Sequence, residues 1–242
     1  MVGLDRAFKP EWVYRILKIC KPGKKYKELE EEFNDIIQVT GLKSKKNILT
    51  IIRRHYLKVF KKGGIEYFDN NYLHQLALKY SYSSMKPILL FILIMESEIV
   101  QFLQKKINLK FLHNSHIDRK SLLESARERY GDRRVVKYAV GYYLTILSHF
   151  GIIKNKGQEY IWETKKFIVG PEILKDIILL YNEITASNEI NVIDLRESTA
   201  LTYIDLSNLE NTLRDYNSVY WTYQKRLDAN KIIVYRNCFK NS

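Results

Sequence analysis

The stretch from Asp118 to Ile168 reads DRKSLLESARERYGDRRVVKYAVGYYLTILSHFGIIKNKGQEYIWETKKFI, and the order of its signals decides the fold. Asp118 is placed to cap a helix running through Arg129, with Ser121 and Glu124 at capping-box spacing, and Gly131 ends it. Asp132 is placed to cap a second helix from Arg133 to Phe150. Its Val136, Val140, Tyr143, Leu147 and Phe150 recur at helical spacing and predict one buried stripe. Gly151 closes that helix and Ile152-Ile153 opens a strand. Asn155-Lys156-Gly157 is a turn, and Glu159 to Glu163 is the returning strand. Helix, tight turn, helix and hairpin follow one another as in a winged helix-turn-helix.

The second of these helices is where a base-reading element would sit. Its start carries Arg133, Arg134 and Lys137, and Tyr138 and Gly141 continue the same face. Cations at a helix N-terminus oppose the helix dipole at a cost of about 0.3–1 kcal/mol each. Three of them there are poor for stability and well suited to a groove lined by phosphates. Lys154 and Lys156 in the hairpin, with Lys165 and Lys166 after it, are placed to hold backbone phosphates.

Working outward towards the N-terminus, helices are predicted over Pro10–Cys20, 24–39, 44–60, 70–80 and 84–107, and an all-helical domain over 1–112. In the third of these, Ile48, Ile52, Tyr56 and Val59 share one face, while Lys46, Thr50, Arg53, Arg54, Lys58 and Lys61 share the other. From Ile36 to Ile65 there are eight basic residues and no acidic one. Like charges at i,i+4 repel by a few tenths of a kcal/mol, so a wet helix face normally mixes signs. Lys46, Arg53, Arg54 and Lys58 therefore join the candidate polyanion-binding residues. The winged-helix segment is assigned 113–186, and a small C-terminal unit 187–242. There, helices are expected over 171–184, from a Ser207 cap to Asp215, and over 220–227, with a terminal strand over 231–235. Helix, helix and strand read as a second, degenerate winged-helix-like unit. The fold class is mainly α with a small β-hairpin wing.

Charge follows the same division. Residues 1–170 hold 32 basic and 17 acidic groups, and residues 171–242 hold 8 and 10, within a total of +13. An excess confined to one part of a chain reads as a surface for a polyanion. A composition rich in Lys, Ile, Asn and Tyr is the competing explanation of the total, though not of its asymmetry. Cys20 and Cys238 lie far apart, without metal-ligand spacing. The most apolar run, Pro87 to Met95, has nine residues where a membrane span needs about 20. With no signal peptide in the reading, the expectation is a soluble cytoplasmic protein.

Catalytic signals are thin. His113, His116 and Asp118 lack the fourth ligand of a structural zinc set. Glu163-Thr164-Lys165 matches the Glu-x-Lys fragment of many nucleases, but without a converging carboxylate upstream. No phosphate-cradling glycine loop, dinucleotide fingerprint or nucleophile elbow occurs. No cofactor, metal or catalytic residue is expected, and the reading is of a non-enzyme. The functional expectation is duplex DNA binding. A protein-interaction scaffold, an RNA-binding protein and a nuclease stand as alternatives.

The chain also resembles the BrxA family of BREX phage-exclusion systems. The resemblance rests on size, on Ile51-Ile52-Arg53-Arg54-His55-Tyr56, on the apolar run around Leu89-Leu90-Phe91, and on Leu144 to Ile153 running into a hairpin. It implies a small, non-enzymatic DNA-binding component that works beside other defence-system proteins. It carries over no catalytic residue.

Overall fold

A computed structural model describes residues 4–111, 116–157, 159–164, 166–225 and 230–235. Among these, the chain is mainly α-helical, and its strands form small antiparallel sheets. The chain divides into two units, Met1–Thr164 and Lys165–Ser242.

In the first unit, α1 (Pro10–Ile19) starts on a proline, whose missing N–H costs nothing in a first turn, and buries Trp12, Val13, Ile16 and Leu17. The single helix expected over 24–39 is instead a 3₁₀ turn (Tyr26–Leu29) followed by α2 (Glu30–Ile36). Lys25 is held extended by an antiparallel bridge to Tyr67, so a helix cannot begin there. Gly41, at φ 90°, turns the chain into α3 (Leu42–Tyr56).

The N-terminal segment is not all-helical. α3 ends at Tyr56, and β1 (Val59–Lys62) pairs with β2 (Ile65–Phe68) around Gly63-Gly64. Both glycines have positive φ, as a tight two-residue hairpin turn requires. Val59, placed on a helix face by its spacing, is a strand residue. Val59, Phe60, Ile65, Tyr67 and Phe68 are β-branched or aromatic, and Phe68 is buried against Phe33 and Tyr26.

α4 (Tyr72–Lys79) is capped by Asn71, whose side chain accepts from Leu73 N and donates to Tyr56 O at 2.7 Å. The long helix expected over 84–107 is two, α5 (Tyr82–Glu96) and α6 (Glu98–Phe111), bent by 108° at Ser97. Gln101 Nε2 donates to Met95 O across the break and satisfies a carbonyl that continuing the helix would have used. α5 is buried from Pro87 to Ile94 and forms the centre of the unit. No single helix among the described residues is long and apolar enough to cross a membrane.

Next come β3 (His116–Asp118), α7 (Arg119–Tyr130), α8 (Arg134–His149), β4 (Ile153–Lys156) and β5 (Glu159–Trp162). The three strands form one sheet in the order β3-β5-β4. The sequence predicts no strand over His116 to Asp118; β3 forms by pairing with β5. Asp118 caps α7 as expected, accepting from Lys120 N at 2.8 Å and Ser121 N at 3.3 Å. That makes Asp118 the cap itself, so Ser121 does not start a capping box; its hydroxyl accepts from Lys110. Asp132 does not cap α8 but pairs with Arg127 at 2.8 Å, and Arg133 holds the cap position without capping the helix, its Nε donating instead to Tyr130 O at 3.1 Å.

The second unit holds α9 (Pro171–Thr185), β6 (Glu189–Asn191), α10 (Val192–Glu197), a 3₁₀ turn (Thr199–Leu201), α11 (Leu209–Asp215), β7 (Trp221–Gln224) and β8 (Lys231–Val234). α9, assigned to the winged-helix segment by the sequence reading, packs on α11 of this unit. The polar stretch 188–199 holds a strand and a short helix. The cap of α11 falls on Asn208, not Ser207, whose N–H is taken by Asp205. The helix expected over 220–227 is strand β7, because Trp221 is buried from its face of the sheet and donates to Leu213 O at 2.9 Å. The sheet order is β6-β8-β7.

Candidate nucleic-acid interface

α8 contains no acidic residue between Arg134 and His149. Its inner stripe, Val136, Val140, Tyr143 and Leu147, is fully buried, and Phe150 just after it is too. Tyr143 carries its hydroxyl inward and donates to Gln104 of α6 at 2.5 Å, which fixes the rotation of α8 about its axis. Arg133, Arg134, Lys137 and Tyr138 are thereby exposed together, as the sequence reading placed them.

The outer face carries two stacked rings with a cation on each side. Arg134 Nε donates to Tyr138 Oη at 2.8 Å, and its guanidinium lies 5.2 Å from that ring's centroid. Tyr138 and Tyr142 stack at 5.9 Å with 23° between planes. Arg6, from the segment before α1, donates to Tyr142 Oη at 2.8 Å and lies 5.8 Å from its ring. Arg119, first residue of α7, joins from the side: a Cβ on Gly141 would stand 3.3 Å from its Nη2. Such contacts hold long cationic side chains in place without cancelling their charge. Arg6 and Arg119 were missed in the sequence. Arg119 and Lys120 do leave a trace there, as two cations in a first turn with no acid. Arg6 left none, since only tertiary packing brings it to α8.

The hairpin supplies a second basic edge. Lys154 and Lys156 are exposed on β4, opposite Ile161 and Glu159 of β5, while Ile153 at the start of β4 is buried. Lys166 is exposed but belongs to the second unit, and Lys165 lies outside the described residues.

On α3, Lys46 and Arg54 are exposed and Arg53 is half-buried. Arg53 Nη2 donates to Glu66 of β2 at 2.7 Å and its guanidinium covers the Tyr26 ring at 4.9 Å. That hydrogen bond holds the Glu66 carboxyl below its usual range. Burial pushes Tyr26 up to about 12, against the opposing pull of Arg53. Tyr26, Glu30, Lys46, Thr50, Arg53 and Arg54 line a cleft of about 430 Å³. Lys58 follows α3 and is exposed in the link to β1 rather than on the helix.

His116 lies in β3 within 4.0 Å of Glu159, and His113 lies outside the described residues. Among the described residues no group of three His, Cys, Asp or Glu side chains is arranged to hold a metal ion. Glu163 is exposed in the bend after β5. Cys20 is buried, and that burial pushes its thiol up to about 12; Cys238 lies outside the described residues. Comparison with known proteins gives no match to a family model, to a curated protein or to a solved structure.

Proposed function

We propose that α6 to β5 form a winged helix-turn-helix that binds duplex DNA, with α8 as the helix that enters the major groove and β4–β5 as the wing. The observation that carries this reading is the outer face of α8. Arg6 and Arg119 reach it from other parts of the chain and join the helix's own Arg134 and Lys137, with no acidic residue on the helix itself. The strand order β3-β5-β4 around α7 and α8 supports it, as do the lysines of β4. In this reading Arg133, Arg134 and Lys137 meet base edges and nearby phosphates, and Lys154 and Lys156 hold the backbone. Basic residues of α3 extend the contact. The resemblance to the BrxA family supports a role as a non-enzymatic partner in a multi-protein defence system.

The test is fluorescence anisotropy of a labelled random duplex across a salt series. With six to ten phosphate contacts, affinity falls by about 10³–10⁵ between 50 and 200 mM salt. Arg133→Glu, Arg134→Glu and Lys137→Glu together should weaken binding strongly while the protein stays folded. Weak affinity left unchanged by the triple substitution would overturn the reading in favour of a protein-interaction scaffold. One observation favours that second reading for the second unit alone: residues 171–242 carry no basic excess and expose Ile193 and Val219.

A further inference from the structure

The order of elements from α6 to β5 occurs a second time, at the N-terminal end of the same unit. There α1 stands for α6, the extended Lys25 for β3, the segment Tyr26 to Ile36 for α7, α3 for α8, and β1–β2 for β4–β5. The pairing agrees strand by strand. Lys25 bridges β2, and β2 pairs with β1, as β3 pairs with β5 and β5 with β4. The turns agree as well. A glycine at positive φ stands between the two helices in each, Gly41 and Gly131, and positive-φ glycines stand at each hairpin tip, Gly63-Gly64 and Gly157.

The faces agree in chemistry. Lys43, Lys46, Thr50 and Arg54 are exposed and step along α3 at intervals of three and four, so they form one stripe. The first turn of α3 holds no acidic residue. Lys61 and Lys62 lead into the hairpin tip and are exposed. Phe60 and Tyr67 stack across the hairpin at 5.6 Å, which stiffens it, and the Arg53–Glu66 bond ties it to α3.

We propose that this N-terminal module is a second complete DNA-reading head, with α3 as its groove-entering helix and β1–β2 as its wing, so that one chain grips duplex DNA at two places. The proposal rests on the reading of α8 as a DNA-binding helix. It differs from a diffuse basic patch in what it requires of the DNA. Two heads need a duplex long enough for both, and reading helices that share a duplex face are spaced by about one helical turn, or 10 base pairs.

The experiment uses the full chain with duplexes of about 10 and about 30 base pairs, and two charge-neutralised variants. One is Lys43→Gln/Lys46→Gln/Lys62→Gln; the other is Arg133→Gln/Arg134→Gln/Lys137→Gln. All six positions are exposed, so the fold should survive, as checked by circular dichroism and melting. The wild type should bind the long duplex at least tenfold more tightly than the short one. The α3-module variant should lose that advantage and two to three units of the slope of log K against log salt, at about 0.9 per lost contact. Lysine-reactivity mapping of the unmodified protein, which needs no variant, should show Lys46 and Lys62 protected by the long duplex. An α3-module variant with wild-type affinity, slope and length dependence, beside an α8 variant that loses binding, would overturn the second head and leave the first standing. A wild type that binds neither duplex would overturn both.

Discussion

His55 shows how a single residue ties fold to conditions. It lies on the inner face of α3, 7% exposed, and neither ring nitrogen has a hydrogen-bond partner among the described residues. Burial, helped by Arg54 beside it, lowers its pKa from 6.5 to about 4. The unfolded chain therefore takes up a proton first as pH falls, and stability is lost between about pH 6.5 and pH 4. From pH 7.5 to 5 the loss amounts to about 2 kcal/mol. Thermal melts should show a drop in Tm of several degrees over that interval, and His55→Leu should remove most of it. An equal drop in the variant would assign the acid sensitivity elsewhere. At the same scale, Tyr143 and Gln104 form a buried polar pair, with Gln104 fully buried. Tyr143→Phe should cost about 1–3 kcal/mol in a denaturant titration, by leaving a buried amide oxygen without that donor.

At the scale of elements, helix starts separate stability from binding. α7 begins well, with Asp118 accepting from two backbone N–H groups. α8 begins badly, with an arginine in the cap position, another in its first turn and no capping side chain. Arg134→Glu places an acid where the helix dipole favours one and should add about 0.3–1 kcal/mol of stability while weakening duplex binding. A variant less stable than the wild type would show that the Arg134–Tyr138 contact contributes more than the dipole costs. α3 teaches a different lesson. Its inner residues Ile48, Ile52 and Tyr56 were legible as a stripe, and they are buried. Its end was not, because Val59 continues the helical spacing while belonging to a strand. Periodicity reports which residues want burial; it does not say whether the next one is carried inward by a helix turn or by a hairpin.

At the scale of the whole molecule, the second unit follows the same plan a third time. α9, β6, α10, α11, β7 and β8 run in that order, and the sheet is β6-β8-β7. What differs is charge. Arg196 and Arg214 are both drawn to Glu210, whose carboxylate also accepts from Tyr223 at 3.0 Å. Lys175 is buried, paired with Asp176 at 2.8 Å and covered by the rings of Tyr216 and Tyr220. The rings of Tyr216, Tyr220 and Trp221 thus pack together beside the lysine of a buried ion pair. A fragment ending at Thr164 should fold, because the unit it contains has its own core, and should keep most of the duplex affinity of the full chain. Loss of nearly all binding in a folded fragment would place the main contact surface in the second unit.

The sequence by itself determined the mainly helical class, the buried stripe of α8, the cap at Asp118, the return of the chain after Gly151 and the grouping of Arg133, Arg134, Lys137 and Tyr138 on one exposed face. These are local matters, set by spacing, capping chemistry and turn residues within a few positions of one another. Tertiary structure alone decided the rest. It bent the apolar helix at Ser97 and made a strand of His116 to Asp118 by giving it β5 to pair with. It turned Val59 to Phe68 into a hairpin, and it brought Arg6 and Arg119 to α8 from elsewhere in the sequence. Each of those outcomes depends on a partner distant along the chain, and no pattern within a single segment encodes which partner will be there.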